Sequence, residues 1–115
     1  MQQTVRELNL ELGYPTVDEA LRRLRAEIAA SRRLKRKALK IIHGYGSSGK
    51  GGKIRTACRQ YLRQAQQRGE VRLWLPGERF SIFDEEARQM MAQCEALRQD
   101  GDREAYNRGV TFILL

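Results

Sequence analysis

A glycine-dense loop between two apolar segments constrains the fold of this chain more than any other feature. The loop spans residues 43–53 and reads His-Gly-Tyr-Gly-Ser-Ser-Gly-Lys-Gly-Gly-Lys. It follows the short apolar run 39–42, which is typical of a buried strand, and precedes a segment near Ile54 whose apolar residues recur at helical spacing. Glycine lets the backbone approach a ligand closely, and the first N–H groups of a helix are unpaired. This strand–loop–helix unit therefore favours an anion site.

The same alternation of patterns continues along the chain. Strand–helix–strand units favour parallel neighbours, so the order β-α-β-α-β-α-β predicts an α/β fold. We expect a two-layer sandwich with a four-stranded, mostly parallel sheet, in which the last strand is left open as parallel or antiparallel. The predicted strands are residues 5–12, 38–42, 71–75 and 109–115.

Helix signals lie between these strands. Thr16 and Asp84 predict N-terminal caps, and Gly69 predicts a C-terminal cap. Helices are predicted from Thr16 to about residue 31, from about 54 to Gly69, and from Asp84 to about 97. In the first strand, leucines at every second position from 8 to 12 predict one buried face.

Positive charge is concentrated in the first part of the chain. The sequence has 22 Lys and Arg against 14 Asp and Glu, a net charge of +8. Sixteen of the basic residues but only five of the acidic residues lie in residues 1–69. Such a basic half is typical of proteins whose partners carry phosphate groups. We favour this interpretation over a basic surface that has no specific partner.

The apolar runs and the cysteines bear on the compartment. No apolar run reaches the roughly 20 residues that cross a bilayer, and the first seven residues form no apolar leader. Cys58 and Cys94 lie on apolar faces of predicted helices, which favours two reduced, buried side chains over a disulfide or a metal site. We therefore expect a cytoplasmic protein with no membrane contact and no resident cofactor.

The glycine loop matches two nucleotide-binding motifs only in part. Residues 44–49 fit the G-x-G-x-x-G fingerprint, but the acidic residue expected about 20 positions later is missing near Leu75. Residues 44–50 fit the start of a P-loop, but Gly51 stands where the magnesium-binding Ser or Thr is needed. Both interpretations are disfavoured, and we expect no small-molecule substrate.

A third pattern extends far beyond the loop. Residues 41–46, Ile-Ile-His-Gly-Tyr-Gly, follow a hydrophobic-His-Gly-x-Gly motif. Residues 10–21 align without a gap with the opening pattern Leu-Asp-x-His-Gly-x-Thr-x-x-Glu-Ala, and residues 109–115 resemble a matching terminal strand. In this order the motifs resemble those of the Smr domain family. The likeness predicts a single domain over residues 1–115, with a helical insertion at about 79–108.

The resemblance implies a fold and a class of partner. Smr domains have a small α/β fold similar to the C-terminal domain of a bacterial translation initiation factor. Family members bind DNA or RNA, and several are endonucleases, including ones that cut messenger RNA on stalled ribosomes. The resemblance therefore implies RNA or DNA as the partner, with the ribosome as a further one.

The candidate catalytic residues are His43 and Glu11. Glu11 takes the family's aspartate position, but Gly13 takes the position of its first histidine. His43, with an ordinary pKa of about 6.5, suits proton transfer at neutral pH, and Glu11 could orient its ring. General acid–base catalysis raises a reaction rate by roughly 10²–10⁴-fold. Because the first histidine of the family is missing, we favour binding without cleavage over nuclease activity. A divalent metal is expected only for a nuclease.

Contact with nucleic acid is expected from the glycine loop and the helix behind it. Tyr45 is expected either to stack on an unpaired base or to cover the loop. The candidate contact residues are Gly44, Tyr45, Gly46, Lys50, Lys53, Arg55, Arg59 and Arg63, of which the three arginines predict a basic stripe opposite the apolar helix face. Two alternatives stay open: an endonuclease that cuts RNA or nicks DNA, and a module that binds the ribosome or another protein.

Overall fold

The strands and helices follow the predicted β-α-β-α-β-α-β order. A computed structural model of the chain describes residues 5–45 and 51–115. Two short 3-10 helices, Gly77–Arg79 and Glu95–Gln99, flank the third α-helix. None of the described helices is long and apolar enough to span a bilayer. The main elements are β1 (Val5–Asn9), α1 (Val17–Arg33), β2 (Ala38–Ile42), α2 (Gly51–Gln67), β3 (Leu73–Pro76), α3 (Glu85–Gln93) and β4 (Val110–Leu114).

β4 lies inside the sheet although it comes last in the chain. The strand order is β1-β2-β4-β3, with β1 and β2 parallel and β4 antiparallel to both of its neighbours. Three strands therefore run in one direction, as predicted, and the last strand is antiparallel. The prediction of parallel neighbours is wrong for β2 and β3, which β4 separates. All five residues of β4 are buried, as expected of a strand that has a neighbouring strand on each side. Pro76 has no backbone N–H to donate, so β3 is suited to the edge of the sheet.

Helices cover both faces of the sheet, so the fold has three layers and not the predicted two. Successive residues of β2 point to opposite faces: Leu39 and Ile41 pack with α1 and α2, whereas Ala38 packs with α3. On the α3 side, Phe80 stacks on Phe112 at a centroid distance of 4.1 Å. The sequence pattern does not show which face a helix covers, because that depends on where β4 inserts.

β1 is shorter than the predicted strand over residues 5–12. It ends at Asn9, whose Oδ1 accepts a hydrogen bond of 2.8 Å from the backbone N–H of Glu11 and starts a turn. Leu10 is fully buried, but Leu12 is 66% exposed, so the predicted alternation stops at the turn. The turn leaves Glu11 at the carboxyl end of β1.

The predicted helix caps are confirmed. The backbone N–H of Glu19 donates to the Thr16 hydroxyl at 3.2 Å, and that of Ala87 donates to the Asp84 carboxylate at 3.0 Å. Gly69 has a φ of +76°, and the N–H groups of residues 69 and 70 donate to carbonyls in the last turn of α2. Local side-chain chemistry therefore sets these helix ends.

Both cysteines are buried and free, as predicted. Cys58 belongs to the core between the sheet and helices α1 and α2, and Cys94 belongs to the core on the α3 side. Burial raises the pKa of the Cys58 thiol to about 12, so this side chain behaves as a small hydrophobic group.

Lys40 anchors the segment that leads into β4. Its Nζ lies 2.9 Å from Asp100 Oδ1 and 2.6 Å from Asp102 Oδ2. Burial alone would lower the pKa of Lys40, but hydrogen bonds to Asp102 and Asp100 outweigh burial and raise it. Asn107 extends this network, since its Nδ2 donates to Asp102 at 3.0 Å and its Oδ1 accepts from the N–H of Gly109 at 2.8 Å. The network holds residues 100–109 against the sheet.

Gly77 has no room for a side chain, and this gives a stability prediction. A Cβ there would lie 2.4 Å from the Asn107 carbonyl oxygen and 2.4 Å from Cγ2 of Val110. We expect Gly77→Ala to lower the free energy of unfolding by about 3 kcal/mol, measured by urea denaturation. Gly101→Ala is the matched control, because a Cβ on Gly101 meets nothing within 4 Å. Equal effects of the two substitutions would contradict the steric explanation.

Candidate nucleic-acid interface

The candidate residues converge at one edge of the sheet. The carboxyl ends of the parallel strands β1 and β2 meet there, beside the start of the antiparallel strand β4. The Glu11 carboxylate lies against Gly44, where a Cβ would be 2.7 Å from Glu11 Oε2. Gly44 also has a φ of +73°, which L side chains rarely adopt. Open α/β sheets bind ligands at the carboxyl ends of their strands, so this edge is the candidate interface.

His43, the first residue of the glycine loop, is fully buried, and both of its ring nitrogens are hydrogen-bonded inside the protein. Nδ1 is 2.6 Å from the Gly44 carbonyl oxygen, and Nε2 is 2.8 Å from the Thr111 hydroxyl. A carbonyl oxygen only accepts, so Nδ1 carries the proton and Nε2 accepts from Thr111. The Thr111 oxygen accepts in turn from Arg59 Nε at 3.1 Å. These four residues form one buried chain from α2 through β4 to the loop.

Burial lowers the pKa of His43 to about 4. The hydrogen bond to Gly44 acts in the opposite direction but is weaker, and the positive charges of Arg59 and Arg55 lower the pKa further. His43 is therefore neutral at pH 7. A general acid or base needs a ring nitrogen that faces the substrate, whereas both nitrogens of His43 face protein groups. The acid–base role of His43 with Glu11 stays a prediction, and it would require His43 to leave these partners.

The structure corrects the predicted position of Arg59. Its guanidinium donates two hydrogen bonds to Glu78, at 2.8 and 2.9 Å, and another to the Val110 carbonyl at 3.2 Å. The Arg59 side chain is only 12% exposed, so it does not continue an exposed stripe between Arg55 and Arg63. Helical spacing could not reveal this arrangement, because its acceptors lie 19 and 51 residues further along the chain.

Tyr45 and Lys53 remain accessible at the edge. Tyr45 is 58% exposed, and its ring passes close to Gly109 at the start of β4. Lys53 is exposed in the first turn of α2. The predicted contacts of Gly46 and Lys50 lie outside the described residues. Among the described contact residues of the loop and the first helical turn, Tyr45 and Lys53 are therefore the side chains presented to solvent.

Arg55 and Arg63 occupy different surroundings on α2. Arg55 is half-buried and lies near enough to His43 to lower the pKa of that imidazole. Arg63 is exposed further along the helix, and its guanidinium carbon lies 5.6 Å from the centre of the Trp74 ring. A cation over an aromatic face keeps its charge available to an anion. The accessible positive charge of α2 is thus carried by its first turn and by Arg63.

Thr111 and Glu78 belong to the site, although the sequence analysis did not name either as a site residue. Thr111 is the polar residue of the buried strand β4, Val-Thr-Phe-Ile-Leu. That placement was the available signal, because a buried hydroxyl needs a partner. Glu78 offered no local signal. Burial would raise its pKa, but the hydrogen bonds from Arg59 outweigh burial and lower it, so Glu78 stays ionised.

Carboxylates are sparse at this edge. Glu11 is exposed beside the loop, and Glu78 is bound to Arg59. Within residues 5–45 and 51–115, no three His, Cys, Asp or Glu side chains form a group that could hold a metal ion. The chemistry that these residues offer a ligand comes chiefly from cations, backbone amides and an aromatic ring.

The buried imidazole of His43 predicts a pH-dependent stability. Its pKa is about 4 in the folded protein, against about 6.5 in an unfolded chain, so the unfolded chain binds a proton first as the pH falls. Stability is therefore complete above pH 6.5 and is lost as the pH falls toward 4. We expect the free energy of unfolding to fall by roughly 2 kcal/mol between pH 7 and pH 5.

Denaturant titrations at each pH measure this change, and His43→Gln is the control that should flatten it. His43 is the only histidine of the chain, so its imidazole proton signals in an NMR titration are unambiguous. A measured pKa near 6.5 would contradict the buried, doubly hydrogen-bonded geometry.

Comparison with known proteins agrees with this fold. The chain is similar to the Smr domain of Thermus thermophilus MutS2, with a TM-score of 0.58, 24% identity and coverage of 96% of each chain. At that identity the likeness shows the fold alone. No curated protein matches the chain. The Smr domain family matches residues 10–115, which include the turn at Glu11, the glycine loop and β4. The chain therefore belongs to the Smr domain family.

Proposed function

We propose that this protein binds the phosphate backbone of RNA or DNA where the carboxyl ends of β1 and β2 meet. We propose further that it does not cleave the nucleic acid. Membership of the Smr family supports an association with nucleic acid, since Smr domains are nucleic-acid-binding or nuclease-like. The absence of cleavage is proposed because His43 is buried and both of its ring nitrogens are hydrogen-bonded within the protein. The exposed cations Lys53 and Arg63 and the start of α2 therefore remain to meet a ligand.

The proposed contacts are electrostatic. α2 begins at Gly51 and has no acidic residue in its first turn, so no carboxylate competes for the positive end of the helix. Lys53 adds a full charge at the same place, and Arg63 adds another further along the helix. A net charge of +8 strengthens the attraction to a polyanion. Binding should therefore depend strongly on salt concentration.

The proposal excludes cleavage because the proton-transfer groups are not arranged for it. The family's first histidine is replaced by Gly13, whose φ of +78° is a conformation that L side chains rarely adopt. His43 is neutral at pH 7 and bonded internally. Glu11 is exposed, but within the described residues no imidazole nitrogen is left accessible to act with it.

Binding is tested by fluorescence anisotropy with labelled RNA and DNA strands over a series of salt concentrations. We expect Lys53→Gln and Arg63→Gln to weaken binding and to reduce the slope of log K against log salt by about 0.7–0.9 for each lost phosphate contact. Arg98→Gln is the matched control, because Arg98 is an exposed arginine in the 3-10 helix on the α3 side. Equal losses in all three variants, or no binding at low salt, would contradict the proposed interface.

The same strands test for cleavage. Intact RNA and intact supercoiled plasmid after incubation with the protein would support binding without catalysis. Cutting that disappears in Glu11→Gln would overturn this part of the proposal. Glu11 is exposed, so that variant should keep its fold, whereas His43→Ala removes a buried hydrogen-bonding group.

A further inference from the structure

Exposed tyrosines cluster at the candidate interface. Tyr14 is 88% exposed, Tyr45 is 58% exposed and Tyr106 is 65% exposed. They come from three segments: the turn after β1, the glycine loop and the chain before β4. The fourth tyrosine, Tyr61, is instead partly buried on α2, with its hydroxyl donating to Glu70. The edge that presents the loop therefore also presents most of the tyrosine rings.

Two of these rings stand on backbone that disfavours them. Tyr14 has a φ of +49° and Tyr106 has a φ of +54°. A bulky L side chain rarely adopts this left-handed region, which suits glycine or asparagine. An exposed ring also contributes little to the core. Two exposed aromatic rings at strained backbone positions point to a role in binding.

A cleft lies between two of the tyrosines. It has a volume of about 360 Å³ and is lined by Tyr45, Tyr106 and Arg108, with Asn107 and Asp102 beside them. The Asn107 amide is bonded to Asp102 and to the N–H of Gly109, so it is already engaged. The cleft thus offers a ligand two aromatic rings and one guanidinium, beside the Asp102 carboxylate, whose charge is balanced by Lys40.

A second cleft lies against Tyr14. It has a volume of about 210 Å³. The residues that line it are Tyr14, Pro15, Thr16, Val17, Lys53 and Ile54. The two clefts share an aromatic ring and a cation, but the second cleft has apolar neighbours where the first has Asp102 and Asn107. Tyr45 lines the first cleft and Lys53 lines the second, so each cleft includes one candidate contact residue.

We infer that each cleft holds one unpaired nucleobase, so that the bound nucleic acid is single-stranded where it crosses this edge. The inference rests on the proposed function and names its substrate class. Stacking on a tyrosine needs a free base face, which a paired and stacked duplex does not offer. Arg108 and Lys53 lie where they can neutralise the phosphates that flank each base.

The clefts predict little preference for sequence. Base stacking accepts every base, because each base has an aromatic face. Reading a base edge requires free donors and acceptors of fixed direction, and the Asn107 amide of the first cleft is bonded within the protein. Recognition at this edge is therefore of unpaired bases as a class.

The inference is tested by fluorescence anisotropy with three labelled DNA ligands of equal phosphate count. These are a single strand of mixed sequence, a duplex, and a single strand in which the bases are replaced by abasic sites. We expect the single strand with bases to bind more tightly than the abasic strand and the duplex. Equal binding of all three would overturn the inference but leave the proposed backbone contact intact, whereas no binding to any would contradict the proposed function itself.

Substitutions locate the bases. We expect Tyr14→Asn and Tyr106→Asn each to weaken binding of the normal single strand by about 5- to 150-fold, and to leave binding of the abasic strand unchanged. Asparagine tolerates the left-handed backbone, so thermal unfolding should show stability kept or raised. Tyr106→Phe keeps the ring and should keep the affinity, and Leu34→Ala is an exposed apolar control outside both clefts. Equal affinity of Tyr106→Asn and wild type for the normal strand would overturn the assignment of the first cleft.

Discussion

The site depends on one buried chain of hydrogen bonds, from Arg59 through Thr111 and His43 to the Gly44 carbonyl. Each member satisfies the next, so removing any one leaves a buried polar group without its partner. The chain links α2, the distant strand β4 and the first residues of the glycine loop. Glu78 completes it by balancing the charge of Arg59, and the chain thereby holds His43 and Gly44, the first two loop residues.

In this arrangement His43 does not have the properties of the proton-transfer group that its sequence motif suggests. A histidine before a glycine-rich loop reads as a proton-transfer group, and an ordinary imidazole would suit that task at neutral pH. Here burial lowers the pKa of His43 to about 4, and both nitrogens are engaged. The imidazole joins the Gly44 carbonyl to the Thr111 hydroxyl of β4, which leaves neither nitrogen facing solvent.

A second polar network, on the α3 side of the sheet, positions the chain segment that leads into β4. Lys40, Asp100 and Asp102 hold the segment before β4, and Asn107 connects that segment to Gly109. Since Gly109 also accepts the backbone N–H groups of His43 and Gly44, the two networks meet at the loop. Tyr106 therefore stands beside Tyr45 because of contacts made on both faces of the sheet.

The sequence by itself determined the order of the elements, the caps at Thr16, Asp84 and Gly69, and the family motifs, because these signals are local. Tertiary structure decided that β4 enters the middle of the sheet, that helices cover both faces, and that Arg59 turns inward to Glu78. It also decided that His43 is neutral and that the tyrosines gather at one edge. Burial and pairing are properties of residues brought together from distant positions, and no local pattern records them.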